Sequence, residues 1–345
     1  MFLRFPPLPV AICTVRRRQV IIDQDTLGPA GTNLQSIALL LNAPDVDVLG
    51  ICVCTGDHWR DHQVRNALRL LEILDRPEVP VLPGAVMPLV NTPAETAAWE
   101  ARHGKLIYNG AWDLARAGRW ADPQHCPDLP EGNPTLRPAA ESAAAFIVRQ
   151  ARAHPGAISL WCAAPFTNIA LALQLEPRLP ELIRELYFMG GSFAPQTDAR
   201  EFTATPRREF NLRFDPEASR AVLRAGWARV TCSPIDISQS VRASADLFAQ
   251  IARAGTPYAR YLDQFGPRNR PMWDEVAAAT WIDPSLVLAA EDLFIDVETD
   301  RGPHWGDTLS WTPGHQPDFA TCRAQVELRV DQARFNQLFV ALSSR

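Results

Sequence analysis

A chain of 345 residues with 47% hydrophobic and 21% charged residues has the make-up of a soluble protein with a substantial core, enough for one large α/β domain or two ordinary ones. A net charge of -5, with no Lys/Arg run longer than Arg16-Arg17-Arg18, excludes a binder of nucleic-acid polymers and leaves a small molecule as the expected partner. No run of ~18 apolar residues occurs, so no membrane-spanning helix and no membrane partner are expected.

Residues 1–17 read as a poorly ordered extension ahead of a domain over 18–345. Met1–Thr14 is apolar but interrupted by Pro6, Pro7 and Pro9, and its basic cluster follows the apolar stretch instead of preceding it. That order is wrong for a secretory signal, so a cytoplasmic protein is expected. Val20-Ile21-Ile22 predicts a first strand, Leu34–Leu41 a helix and Val46–Cys54 a second strand. Between His58 and Leu74, Val64, Ala67, Leu68, Leu71 and Leu74 recur at helical spacing, and Val79–Leu82 predicts a third strand. Residues 90–135 break the rhythm with scattered prolines and with Trp99, Trp112 and Trp120; they read as a lid over a pocket or as a long surface excursion. Further strands are expected at Ile158–Cys162, Leu186–Met189 and Val230–Cys232, with helices at Ala139–Arg152, Phe166–Leu175 and Pro216–Ala225. Short strands at Leu293–Val297 and Val326–Val330 precede a last helix near Phe335–Leu342. The alternation predicts an α/β fold in one domain: an open, mostly parallel, Rossmann-like sheet with helices on both faces and a small β element near the C-terminus. The seven cysteines form no Cys-x-x-Cys pair; Cys52, Cys54, Cys162 and Cys232 fall in apolar runs and read as buried hydrophobes in a reducing compartment.

In open α/β sheets ligands bind beyond the carboxyl ends of the strands. Those positions carry Asp23 and Asp25 after the first strand, Gly56-Asp57 after the second, Ala163-Ala164 and Pro165-Phe166-Thr167-Asn168 after the fourth, Met189-Gly190-Gly191 after the fifth and Asp236 after the sixth. Several loops thus bring carboxylates to one edge, and like charges held that close need protons or a cation between them. A hard cation with oxygen ligands, calcium before magnesium, is the economical solution.

Taken in order, Asp23-Gln24-Asp25, Arg65–Leu71 with Val79-Pro80-Val81 and Pro83-Gly84-Ala85, Pro165–Leu173, Met189-Gly190-Gly191, Glu209-Phe210-Asn211 with Asp215–Ala218, and Trp273-Asp274 with Ile282-Asp283-Pro284 resemble the inosine–uridine-preferring nucleoside hydrolase family from Gln19 to about Thr299. The resemblance implies hydrolysis of the N-glycosidic bond of ribonucleosides, with Asp25 as calcium ligand and general base on a bound water and Asp23 orienting the water or the metal. It implies Asp274, Asn33 and the backbone carbonyl of Ala163 as further Ca2+ ligands, and Glu209 and Asn211 as the sugar clamp, with Met189 and Thr203 at substrate-contacting positions. A homo-oligomer, dimer or tetramer, is implied as well.

The chain departs from the pattern at four places. Thr32-Asn33 stand where the family's first loop ends in two aspartates; Asn33 offers a carbonyl but one charge fewer, Thr32 a hydroxyl for the ribose, and the pair reads equally as a helix N-cap. Asp57 replaces an Asn and is either a ribose contact or a cap. Thr203 replaces another Asn. Trp273 replaces a His that protonates the leaving base, and an indole that stacks but cannot donate as an acid points towards purine nucleosides. His103-Gly104 resembles a flap pair near the base; Trp59 and Trp112 are weaker stacking candidates, and Asp236 a supporting carboxylate. The alternative to an active hydrolase is a catalytically impaired nucleoside- or ribose-binding member of the same fold. A serine hydrolase lacks its Gly-x-Ser-x-Gly elbow, and Gly28-x-x-Gly31 is no dinucleotide loop.

Overall fold

The computed structural model describes residues 17–116, 123, 126–193, 208–239 and 241–345; apart from Arg17, the extension expected over 1–17 lies outside them. Val20, Ile21 and Ile22 are wholly buried, as a strand covered on both faces requires, and they form β1 (Arg18–Gln24). There follow α1 (Thr32–Asn42), β2 (Val46–Val53), α2 (Arg60–Ile73), β3 (Val81–Pro83), α3 (Pro93–His103), α4 (Ala111–Arg116), α5 (Ala143–Ala153), β4 (Ile158–Ala163), α6 (Thr167–Leu175), α7 (Leu179–Leu182) and β5 (Glu185–Met189). The second half runs α8 (Phe210–Phe214), α9 (Pro216–Leu223), β6 (Val230–Ser233), α10 (Ile235–Ser238), α11 (Ala245–Ala252), α12 (Pro257–Phe265), α13 (Trp273–Ile282), β7 (Val287–Val297), β8 (Thr308–Trp311), β9 (Cys322–Val330) and α14 (Gln332–Ser343).

The strands make one 9-stranded sheet in the order β3-β2-β1-β4-β5-β6-β9-β7-β8. Pairing is parallel from β3 through β9, and β7 runs antiparallel to both β9 and β8. The small C-terminal β element therefore extends the main sheet. Alternation along β1 sends Val20 and Ile22 to the face under α1, α13 and α14, and Ile21 to the face under α5, α6 and α9. The chain winds outward from β1 through β2 to β3, then returns to start β4 on β1's other side. A crevice opens where the winding reverses.

Three regions differ from the sequence expectation, the first being β8, a strand between the two expected near the C-terminus. Residues 90–135 contain α3, entered through Pro93 with Thr92 Oγ1 accepting from Glu95 N at 3.1 Å, and α4. Residues 245–282 hold three helices where the strand–helix alternation marks none. Cys52, Cys54, Cys162, Cys232 and Cys322 are buried and unbridged, as expected of small hydrophobes. Among the described residues no helix is long and apolar enough to cross a membrane.

Candidate active site

Asp25 follows β1 at the reversal point, in the wall of a cavity of about 410 Å³, a size suited to a small molecule. The loop after β2 lies so close that a Cβ on Gly56 would sit 2.1 Å from Asp25 Oδ2, so only glycine permits the approach. The Asp57 backbone N–H then donates to Asp25 Oδ2 at 2.8 Å, and Asn33 Nδ2 donates to Asp25 Oδ1 at 3.0 Å.

Gln24 joins the two halves of the site. Its Oε1 accepts from Asp25 N at 2.9 Å, while its Nε2 donates to Asp274 Oδ2 at 3.1 Å and to Ser36 Oγ at 3.2 Å. Asp274, in the first turn of α13 where the helix dipole favours a carboxylate, is thereby held in the same cavity wall as Asp25.

The capping alternatives for Thr32, Asn33 and Asp57 do not hold. Helix α1 starts at Thr32 behind Gly31 and has no side-chain cap; Thr32 Oγ1 donates to Glu275, and Asn33 Nδ2 also reaches Gln24 Oε1 at 3.2 Å. At α2 it is Thr55 Oγ1 that accepts from Arg60 N, at 3.0 Å, while Asp57 Oδ1 accepts from Tyr108 Oη at 2.7 Å. All three side chains face the cavity.

Glu209, Asn211 and Met189 form one unit that also lines the cavity. Glu209 caps α8, accepting from Asn211 N at 2.8 Å and Leu212 N at 3.1 Å, and from Gly191 N at 2.9 Å; Asn211 Nδ2 donates to Met189 O at 3.2 Å. Trp273, half-buried, lines the cavity together with Tyr108, Phe210 and Phe265.

Other expected residues lie elsewhere. Asp23 is buried behind the wall, accepting from Asn168 Nδ2 at 2.7 Å, and Asn168 Oδ1 accepts from Ala85 N at 2.8 Å. Ala163 ends β4 beside Gln24 but is not part of the wall. His103 is exposed at the end of α3, its ring 5.2 Å from Trp99, and does not line the cavity. Asp236 accepts from Phe193 N at 3.0 Å, also outside the wall. Trp59 and Trp112 are buried in an aromatic cluster with Phe210 and Phe214 and do not line the cavity. Thr203 lies outside the described residues.

Gln24, Tyr108, Glu275 and Arg270 also line or brace the cavity and were not singled out by the sequence. Gln24 stands between two motif aspartates and Glu275 beside another, which was the available signal. Nothing local marks Tyr108.

Five carboxylates, Asp25, Asp57, Glu209, Asp274 and Glu275, share this wall with one Arg or Lys, Arg270. Burial, then the charges of Asp57 and Asp274, push Asp25 well above the usual carboxylate range. Burial, then Glu275 and Asp57, do the same to Asp274. Burial raises Asp57 to about 6 and Glu275 to about 7 against the hydrogen bonds from Tyr108 and Thr32. Acids held this close keep protons or share a cation, and their oxygens are the hard ligands that a divalent cation prefers. Among the described residues no three His, Cys, Asp or Glu side chains converge as a ready-made metal cluster. Asn33 presents its amide nitrogen to Asp25, so ligation would need that amide turned to expose its carbonyl. With that turn the donor set fits a hard cation.

The model of the inosine-uridine preferring nucleoside hydrolase family matches residues 20–337. The chain is 30% identical over 278 residues to a probable uridine nucleosidase 2 of Arabidopsis thaliana, covering 79% of this chain and 77% of that one. It is 25% identical over 308 residues to a pyrimidine-specific ribonucleoside hydrolase of Escherichia coli, covering 86% and 88%. In fold it is similar to a purine-preferring ribonucleoside hydrolase from Gardnerella vaginalis, with a TM-score of 0.73, 22% identity and 94% and 98% of the two chains covered.

Proposed function

Since the chain belongs to the inosine-uridine preferring nucleoside hydrolase family, whose members are N-glycosyl hydrolases, we propose that it hydrolyses ribonucleosides, purine nucleosides ahead of pyrimidine ones, with Asp25 as the general base and calcium as the cofactor. The observation that carries this reading is the Gln24 bridge, by which one amide ties Asp25 and Asp274, far apart in sequence, to one cavity.

Asp25, Asp274 and the carbonyl oxygen of Asn33 would hold the ion, which when bound lowers the pKa of a nearby water. Asp25 takes a proton from the attacking water, its carboxylate kept in orientation by the Asp57 backbone N–H. Glu209 and Asn211 bind ribose hydroxyls; Glu209's bonds to Gly191, Asn211 and Leu212 leave one lone pair, on Oε1, and the backbone donors hold the carboxylate still. The surrounding carboxylates stabilise the positive charge that grows on the sugar as the bond to the base breaks. Trp273 stacks on the leaving base, with Phe210 and Phe265 in the same wall. Relatives' names include pyrimidine-specific and purine-preferring enzymes alike, so the purine preference rests on this aromatic wall.

The second reading, a binding protein without turnover, is favoured by Asn33 donating to the base at 3.0 Å. Incubation with inosine, adenosine, guanosine and uridine, with and without a chelator, separates the two by release of reducing sugar. Calcium-dependent release from purine nucleosides is expected; binding without release in either condition would transfer the case to the second reading.

A further inference from the structure

Helix α13 holds the hydroxyl of Thr32 from two sides. The Asp274 N–H donates to Thr32 Oγ1 at 3.3 Å; an N–H only donates, so it fills one of the oxygen's two lone pairs. The Thr32 O–H donates to the Glu275 carboxylate, which is 2% exposed. Thr32, Asp274 and Glu275 all line the cavity. With its proton committed and one lone pair filled, Thr32 has a single lone pair left for a ligand, and only as an acceptor. An unrestrained threonine hydroxyl turns to donate or accept as its neighbours dictate.

We propose that Glu275 is a positioning residue that fixes the Thr32 hydroxyl as an acceptor for one secondary hydroxyl of the bound ribose, an inference that rests on the ribonucleoside reading above. The Thr32–Glu275 pair supplies at the first loop the acceptor-only oxygen that a carboxylate would offer, with the charge set back on α13.

The test compares wild type, E275A, E275Q and T32A on inosine and on its 2′-deoxy and 3′-deoxy counterparts. It reads kcat/KM, or the inhibition constant where turnover is too slow to follow, with the melting temperature of each variant. E275A is expected to lower kcat/KM on inosine by about tenfold or more, and to cost far less on the counterpart lacking the hydroxyl that Thr32 accepts. T32A, which leaves the carboxylate in place, should show the same substrate pattern and carries the test alone if E275A does not fold. E275Q should recover most of the loss, because its amide oxygen still takes the Thr32 proton. Equal losses on all three substrates, no loss in E275A, or an E275Q as damaged as E275A would each overturn the assignment. Wild-type turnover of inosine with such a flat pattern removes the Glu275 role alone. Wild type that neither hydrolyses nor binds inosine removes the ribonucleoside reading and this inference with it.

Discussion

Helix α13 carries groups to two buried acidic sites, one with several carboxylates and one with Glu327. At its first turn Asp274 and Glu275 enter the cavity wall; near its last, Thr280 packs against Tyr187 of β5 and Glu327 of β9. The Tyr187 and Thr280 hydroxyls approach Glu327 Oε2 at 2.9 and 3.0 Å, and burial pushes Glu327 up to about 7, as it does Glu275. Burial and a raised proton affinity are thus common to both. The difference lies in the company each acid keeps. Glu327 is a lone acceptor among neutral donors in a filled interior, whereas Asp25 and Asp274 face other acids across an open cavity. A surplus of acceptors over donors marks the site, and burial alone does not.

That contrast breaks first at Asp25. Asp25→Asn keeps the shape and the approach of Gly56 but removes the base, so kcat is expected to fall by about a thousandfold with a melting temperature near that of wild type. Undiminished sugar release would end the assignment of Asp25.

Asn33→Asp sharpens the comparison by adding an acid to the cavity. Calcium affinity measured by calorimetry should rise by about tenfold or more, while the metal-free variant becomes less stable at pH 8. A variant that binds calcium no better would remove Asn33 from the ligand set.

Trp273→Ala should raise KM for inosine by about tenfold through lost stacking and change uridine less. Equal effects on both would count against the purine preference.

The pH response follows from the raised acids. Burial pushes Asp23 and Glu275 to about 7 and Asp57 to about 6, above their values in the unfolded chain. Between about pH 4 and pH 7 the native state therefore binds more protons than the unfolded state, and stability falls as pH rises through that window. Without added cation the melting temperature should drop by about 5 °C from pH 5 to pH 8, and calcium should restore more of it at pH 8 than at pH 5. The smallest effect is expected from Glu327→Gln, whose turnover stays within about twofold of wild type and whose calcium response is unchanged. A large loss there would show that the two ends of α13 are coupled.

Much of this was legible in the sequence. The buried strands β1, β2 and β4–β6 announce themselves as apolar runs, and Asp25, Asp57, Asp274, Glu209 and Asn211 stand at positions where the strand–helix pattern and the family motifs point. The helix that carries Asp274 left no such trace: Asp274 through Trp281 are all buried, so α13 shows no one-sided apolar stripe. Helices α11 and α12 did carry signals, the Ser244 and Thr256-Pro257 caps, which the alternation of strands passes over.

The sequence by itself determined most strands of the sheet, the family and four of the five cavity acids, because strand burial and motif order are recorded locally. Only the tertiary structure decided what those acids do to one another. Gln24 holding Asp274, Tyr108 on Asp57 and Glu275 taking the Thr32 proton are contacts between distant segments, and Asn33 turned to Asp25 is set by the fold of one loop. No local periodicity encodes them, since hydrogen bonding and charge repulsion in a buried wall depend on distances that exist only once the chain has closed around it.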